Sequence, residues 1–224
     1  MCSSDLAAAT GMPDTLAAPW ARDSGRQALG AGWVEVHVED EARRLDLNAA
    51  ELAPAVPRLL ATLGLDPGLA DAIADWTDAD DVPRPLGAER AWYLGVTPPR
   101  VPRNGPLGSL GELALVRGFD ATTVARLRPY VTVAGEPRVN PNTAPREVLV
   151  AVLGDPVRVE RILAERQRGP IEPSGSWLTA RGEHYTARVV AGVGELRRGV
   201  EVTLWALPGT PAEITAWRSI VPDA

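Results

Sequence analysis

The sequence predicts an α+β fold in which an antiparallel sheet, built from both ends of the chain, is interrupted by a large inserted helical domain. Three observations predict it. Apolar and polar residues alternate with period 2 from Trp33 to Glu39, the pattern of a half-buried strand. Across the middle of the chain, from Leu52 to Arg166, apolar residues recur at three and four, the pattern of helices packed on a core. From Glu183 onward the period-2 signal returns. One sheet split by an insertion is the most economical reading of that order, with boundaries at residues 1–48, 49–182 and 183–224. Within the helical part, 49–138 and 139–182 read as two lobes of short helical hairpins.

Residues 1–32 are small and polar and contain Pro13 and Pro19, so a short helix remnant followed by loop is expected. After the Trp33–Glu39 strand, Asp40 to Arg43 reads as a turn, and Arg44 to Asn48 alternates again. The two runs are expected to pair as an antiparallel hairpin. Asn48 reads as a helix N-cap with Glu51 as its capping-box partner, and Leu52, Val56, Leu59, Leu60 and Leu63 follow at helical spacing. Pro54 and Pro57 make the first turns of that helix irregular. Gly64 to Pro67 forms a tight turn into a helix carrying Leu69, Ile73 and Trp76.

This hairpin recurs twice, from Ser109 through Gly118 and Asp120 to Pro129, and from Thr143 through Gly154 and Asp155 to Arg166. Tyr130 to Val133 alternates like a brief strand between them, and Asn140 to Pro145 reads as a turn and a helix start. In the last part Tyr185, Ala187, Val189 and Ala191 share one strand face. Val200, Val202, Leu204 and Ala206 form the next strand, with Gly192 to Gly199 as connection, and a final strand contains Ile214, Ala216, Trp217 and Arg218.

Composition excludes several function classes. A net charge of -6, with all 23 basic residues Arg, makes the surface repel polyanions as a whole. Gly-turn helical hairpins also hold nucleic acid in helix-hairpin-helix modules, which is the alternative function for this chain. That use needs turns free of negative charge, yet each turn here carries an Asp. Cys2 is the only cysteine, so no internal disulfide framework or cysteine metal site exists. No apolar run approaches the roughly 18 residues that a membrane span requires. The two histidines, His37 and His184, fall on separate strands and no nucleophile elbow accompanies them, so no catalytic residues are assigned and no enzyme is expected.

The chemistry concentrates in Asp75 to Tyr93, where four Asp, one Glu and two Trp fall in 19 residues and Pro83, Pro85 and Gly87 forbid regular helix. Hard carboxylate oxygens gathered by an irregular loop are what calcium takes, whereas zinc requires His or Cys. Asp78, Asp80, Asp81 and Glu89 are the candidate ligands of one Ca2+. The alternative is that Asp75 and Asp78 cap helices while Glu89 pairs with an arginine. Trp20 and Trp92 are either core residues or exposed anchors for a partner.

The same stretch, with Asp75, Trp76, Asp78, Asp80 and Asp81 followed by Gly87, Ala88, Glu89 and the Trp92–Tyr93 pair, resembles the signature of the type II secretion minor pseudopilin general secretion protein K. Matches continue in family order: Val38 to Glu41, Leu45 to Asn48, Arg117 to Asp120, Leu127 to Val133 and Val139 to Leu149. The resemblance implies a pseudopilin α/β fold with an inserted helical domain of SAM-like units, and a periplasmic location at the tip of the pseudopilus. It also implies minor pseudopilins I and J as partners, bound calcium, and a non-enzymatic part in protein export, with no nucleic acid or small-molecule substrate. Members begin with a leader and an apolar helix in the inner membrane. The chain is therefore expected to be an ectodomain whose membrane helix is missing, with Ala7 to Ala18 as the tail of that helix.

Overall fold

In the computed structural model, residues 13–21, 25–207 and 210–222 are described. Residues 7–12 of the helix tail expected over 7–18 thus lie outside the described residues, and 13–18 run as loop and turn and not as helix. Strands β1 (Gln27–Leu29), β2 (Gly32–Asp40), β5 (His184–Val193), β6 (Leu196–Trp205) and β7 (Glu213–Ile220) form one sheet in the order β1-β2-β5-β6-β7, with every pair antiparallel. The two ends of the chain therefore meet, since Trp33 to Asp40 pairs along its length with Gly192 to Tyr185. Alternation decides which face is buried. Val38 and Ala187 lie opposite one another on the inward face beside Tyr185, while His37 and Arg188 are opposite on the other face. The β5–β6 connection is shorter than the Gly192–Gly199 loop expected: both strands run on to Val193 and Leu196, and Gly194 turns the hairpin at φ 57°.

The expected hairpin between Trp33–Glu39 and Arg44–Asn48 does not form. Asp40 accepts a hydrogen bond from the Ala42 N–H and caps a short 3-10 turn at Glu41–Arg43, which carries the chain away from the sheet. One side of β2 is taken by β5 from Trp33 to Asp40, and β1 takes the other side at Gly32–Val34. Strand β3 (Leu45–Asp46) instead pairs in parallel with β4 (Val131–Thr132), with both of its residues fully buried.

The helical body comprises α1 (Val56–Thr62), α2 (Leu69–Thr77), α3 (Arg90–Leu94), α4 (Ala121–Leu127), α5 (Arg146–Leu153) and α6 (Pro156–Arg166), with 3-10 segments at Ala50–Ala55 and Leu110–Leu115. Pro54 lies inside the first of these segments and Pro57 in the first turn of α1, so the irregular start expected there is present. Asn48 does not cap this helix. Its side chain accepts from Leu107 N–H at 2.8 Å and donates to Leu107 O at 3.0 Å, so a distant loop outcompetes the local cap. In the three hairpin turns Gly64, Gly118 and Gly154 all take left-handed φ, which glycine adopts without the steric cost of a Cβ.

Two apolar clusters result. The larger fills the helical body around Leu59, Leu60, Trp76, Tyr93, Leu127 and Leu149; the smaller lies against the sheet, where the Trp20 ring meets Tyr185 edge-on at 5.3 Å. Trp20 is thus core and not a surface anchor.

A buried polar knot joins sheet to helices. Asp40 Oδ2 accepts from Asn140 Nδ2 at 3.0 Å and from the Thr143 hydroxyl at 2.8 Å, while Asp14 Oδ2 accepts from the Tyr185 hydroxyl at 2.6 Å and Gly182 N–H at 3.2 Å. Asn140 also donates to the Asp14 carbonyl, so one amide ties the N-terminal segment, β2 and the helical body together.

Candidate metal centre

The acidic stretch is assembled by one helix end and the chain's return to it. Asp75 lies in the last turn of α2 beside Ile73 and Trp76, which are buried in the larger core, so its position on the inward face leaves its side chain no exposure to solvent. Asp78 follows one turn later as the helix C-cap, with extended backbone and its N–H donated to Ala74 O at 2.9 Å. Pro83 and Pro85 keep the next residues out of helix. Gly87 then passes so close to α2 that a Cβ there would lie 2.0 Å from Asp75 Oδ2. Glu89 comes next, buried just ahead of α3, with no side-chain capping bond.

Asp75, Asp78 and Glu89 each present a carboxylate oxygen within 4.8 Å of the others. Arg84 bridges two of them. Its Nη1 lies 2.6 Å from Asp75 Oδ1 and 2.5 Å from Asp78 Oδ2, and its backbone N–H donates to Asp75 Oδ2 at 3.0 Å. Both oxygens of Glu89 and Oδ1 of Asp78 are buried with no hydrogen-bond partner among the described residues. Unpaired buried carboxylate oxygens are costly, and the cost appears in the titration of Glu89. Burial, reinforced by the negative charges of Asp75, Asp78, Asp81 and Asp80, pushes its carboxyl up to about 7. Arg84, in turn, is held above its ordinary value by its hydrogen bonds to Asp78 and Asp75.

Of the four residues singled out from sequence, the structure brings Asp78 and Glu89 into this cluster. Asp80 and Asp81 are exposed and lie outside it, and Asp80 Oδ1 instead accepts from Val82 N–H at 2.9 Å. The member that sequence reasoning assigned otherwise is Asp75, read there as a helix cap. The signal was available, because Asp75 and Asp78 stand three residues apart and so share one side of a helical turn. Among the described residues Glu89 pairs with no arginine, so that part of the alternative reading finds no support there.

The rest of the loop is held firmly. Asp71 Oδ2 accepts from Leu86 N–H at 3.1 Å, and Arg117 Nη1 donates to Gly87 O at 2.6 Å. Tyr93, fully buried, meets Trp76 edge-on at 5.0 Å and accepts from Arg117 N–H at 3.0 Å. Trp92 is 40% exposed, with the Arg117 guanidinium 5.3 Å from its ring centroid. A donor set of three carboxylates, with buried oxygens left unpaired, fits a hard divalent cation such as calcium.

The hairpin turns have a different chemistry. Asp66 accepts from Gly68 N–H, Asp120 from Thr123 N–H, and Asp155 from Val157 and Arg158 N–H. The amides that would hold a phosphate are thereby occupied by the chain's own carboxylates.

A family model for type II secretion system (T2SS) protein K matches residues 38–136. The type II secretion system protein K of Aeromonas hydrophila is 35% identical over 159 residues, covering 59% of this chain and 48% of that protein. That of Pseudomonas aeruginosa is 35% identical over 171 residues, covering 69% of this chain and 51% of that protein. The chain thus spans about half the length of the curated relatives it matches. A chain in the crystal structure of the GspK-GspI-GspJ complex of the enterotoxigenic Escherichia coli type 2 secretion system has the same fold, with a TM-score of 0.77 at 17% identity over 98% of this chain and 91% of that one. The signature read from the sequence, the matched segment of residues 38–136 and relatives 35% identical agree that this chain is similar to the type II secretion system protein K family, and its fold is that of a chain in the GspK-GspI-GspJ complex.

Proposed function

We propose that this protein is a minor pseudopilin of a type II secretion system, a non-enzymatic subunit at the tip of the periplasmic pseudopilus that takes part in protein export. The observation that carries this reading is the likeness, over nearly the whole chain, to a structure solved as a GspK-GspI-GspJ complex. Its partners are then the minor pseudopilins I and J, and its place is the periplasmic side of the inner membrane. Among the described residues no helix is long and apolar enough to cross a membrane. In this arrangement the sheet of β1, β2, β5, β6 and β7 faces the neighbouring subunits. The helical insertion of 49–182 faces away from them, because a body of that bulk would block stacking on its own side.

Mixing the purified protein with the soluble domains of pseudopilins I and J, with mass read by light scattering, tests this. A defined ternary complex is expected at micromolar concentration, and persistent monomers would count against the reading. A complex with duplex DNA would favour the helix-hairpin-helix alternative instead.

The acidic site belongs to the same proposal. Calcium is held by Asp75, Asp78 and Glu89, supported by the unpaired buried oxygens of Asp78 and Glu89. There it ties the C-terminal end of α2 to the start of α3 and neutralises charge that the protein leaves uncompensated. A ligand that binds only the folded state stabilises it by about 2.7 kcal/mol at 100 times its Kd, so millimolar calcium is expected to raise Tm by several degrees over chelator. Glu89→Gln should abolish that increment. Equal melting with calcium and with chelator would sink the calcium assignment without touching the pseudopilin reading.

A further inference from the structure

The acidic site already contains a cation of its own. Arg84 stands between Pro83 and Pro85, which restrict the backbone on both sides, and its N–H is fixed on Asp75 Oδ2. From that anchored position its guanidinium spans Asp75 Oδ1 and Asp78 Oδ2. One positive charge against three carboxylates leaves the cluster short of compensation, and Glu89 receives none of it directly. A calcium ion takes six to eight oxygen ligands. With Arg84 seated, three of the six carboxylate oxygens in the cluster are engaged by its N–H groups, and only Asp78 Oδ1 and the two Glu89 oxygens stay open. A divalent ion that draws on Asp75 Oδ1 and Asp78 Oδ2 must therefore displace the guanidinium. The side chain of Arg84 is 41% exposed, so it already meets solvent where it stands.

We propose that Arg84 is an exchangeable internal counter-ion: it occupies the carboxylate cluster in the metal-free protein and is displaced into solvent when calcium binds. The inference rests on the calcium reading given above. Two consequences follow. The loop between α2 and α3 keeps its shape without metal, since Arg84 bridges Asp75 and Asp78 as a cation would. Calcium binds more weakly than the carboxylates alone would allow, because an existing ion pair is broken each time.

Calorimetric titration of calcium into the intact protein and into Arg84→Gln tests this. A partly exposed ion pair contributes up to about 1 kcal/mol, so Arg84→Gln is expected to bind calcium about fivefold more tightly. Its metal-free Tm should fall below wild type while its calcium-bound Tm matches it. Should the variant fold poorly without metal, the wild-type protein supplies an independent readout. The Arg84 Nε–H resonance should lie apart from those of solvated arginines in chelator and move to their position at saturating calcium. Calcium affinity unchanged or weakened in Arg84→Gln, or a resonance unmoved by calcium in the wild type, would overturn the counter-ion role while leaving the metal site standing. Absence of calcium binding in both proteins would remove both ideas.

Discussion

Raising the pH from 5.5 to 8 in the presence of chelator is expected to lower the stability of this protein by about 2 kcal/mol through Asp40 alone. Asp40 is 1% exposed, and its carboxyl is pushed from 3.8 up to about 7, first by burial and then by the Asp14 carboxylate, against the pull of Thr143, Ala42 and Asn140. A carboxyl whose folded value is raised favours the protonated folded state. It therefore stabilises the fold as pH drops below about 7 toward the unfolded value near 4, and that contribution is lost as pH rises through 7. The groups around the knot act in the same direction. Burial raises Asp14 despite Tyr185, Arg181 and Gly182, and the hydrogen bond that His184 donates to the Glu136 carboxylate raises His184, whose contribution is likewise lost as pH rises through its folded value. Glu39, although partly desolvated, is held low by Arg44 and Arg43, and its contribution is lost only in acid. Chelator keeps metal at Glu89 from masking a shift of the same sign. For a chain of this length the change amounts to a Tm about 4–8 °C lower at pH 8 than at pH 5.5. Calorimetry at constant ionic strength reads it, and Asp40→Asn should shrink the slope. A Tm that is flat or rises over this range would mean that the sheet and the helical body are not joined through a buried carboxylate.

Replacing Gly87 by Ala should cost about 3 kcal/mol, at the severe end for a single added methyl group. The new Cβ would lie 2.0 Å from Asp75 Oδ2, 2.6 Å from its Cγ and 3.0 Å from the Asp71 carbonyl. None of these atoms can retreat cheaply. The carboxylate of Asp75 is fully buried and bonded to Arg84, the Asp71 carbonyl is helix backbone, and α2 is fixed from behind by Ile73 and Trp76 in the core. The loop itself is pinned through Gly87 O by Arg117. Gly169→Ala is the control, since a Cβ there meets nothing within 4 Å, and it should stay within about 0.5 kcal/mol of wild type. Denaturant midpoints compare the two. Gly87→Ala should also lose the calcium increment in Tm, because displacing Asp75 disperses the carboxylates. A variant as stable as the Gly169 control would show that α2 and the returning loop do not pack this closely.

The sequence by itself determined the architecture and the place of the site. Alternation at Trp33–Glu39 and Tyr185–Val189 required half-buried strands, and the inward-facing rows they create have to be matched by one another. The Gly-Asp turns determined three hairpins because left-handed glycine and carboxylate caps act within a few residues of chain. Carboxylate density between helix-breaking prolines marked where charge would have to be compensated. Tertiary structure alone decided everything that depends on a distant partner. Asn48 had the local chemistry of a helix cap and instead holds Leu107; Leu45–Asp46 had the alternation of a hairpin strand and instead pairs with Val131–Thr132. Within the acidic stretch, Asp80 and Asp81 are indistinguishable from Asp78 by residue type, yet only Asp78 stays beside the end of α2 while they are exposed to solvent. Asp75 joins the cluster because α2 turns it inward, and Arg84 reaches it because Gly87 lets the loop return within contact of the helix. Local chemistry acts over one turn of chain and is legible there, whereas the choice among competing partners is made by the packing of segments far apart in sequence.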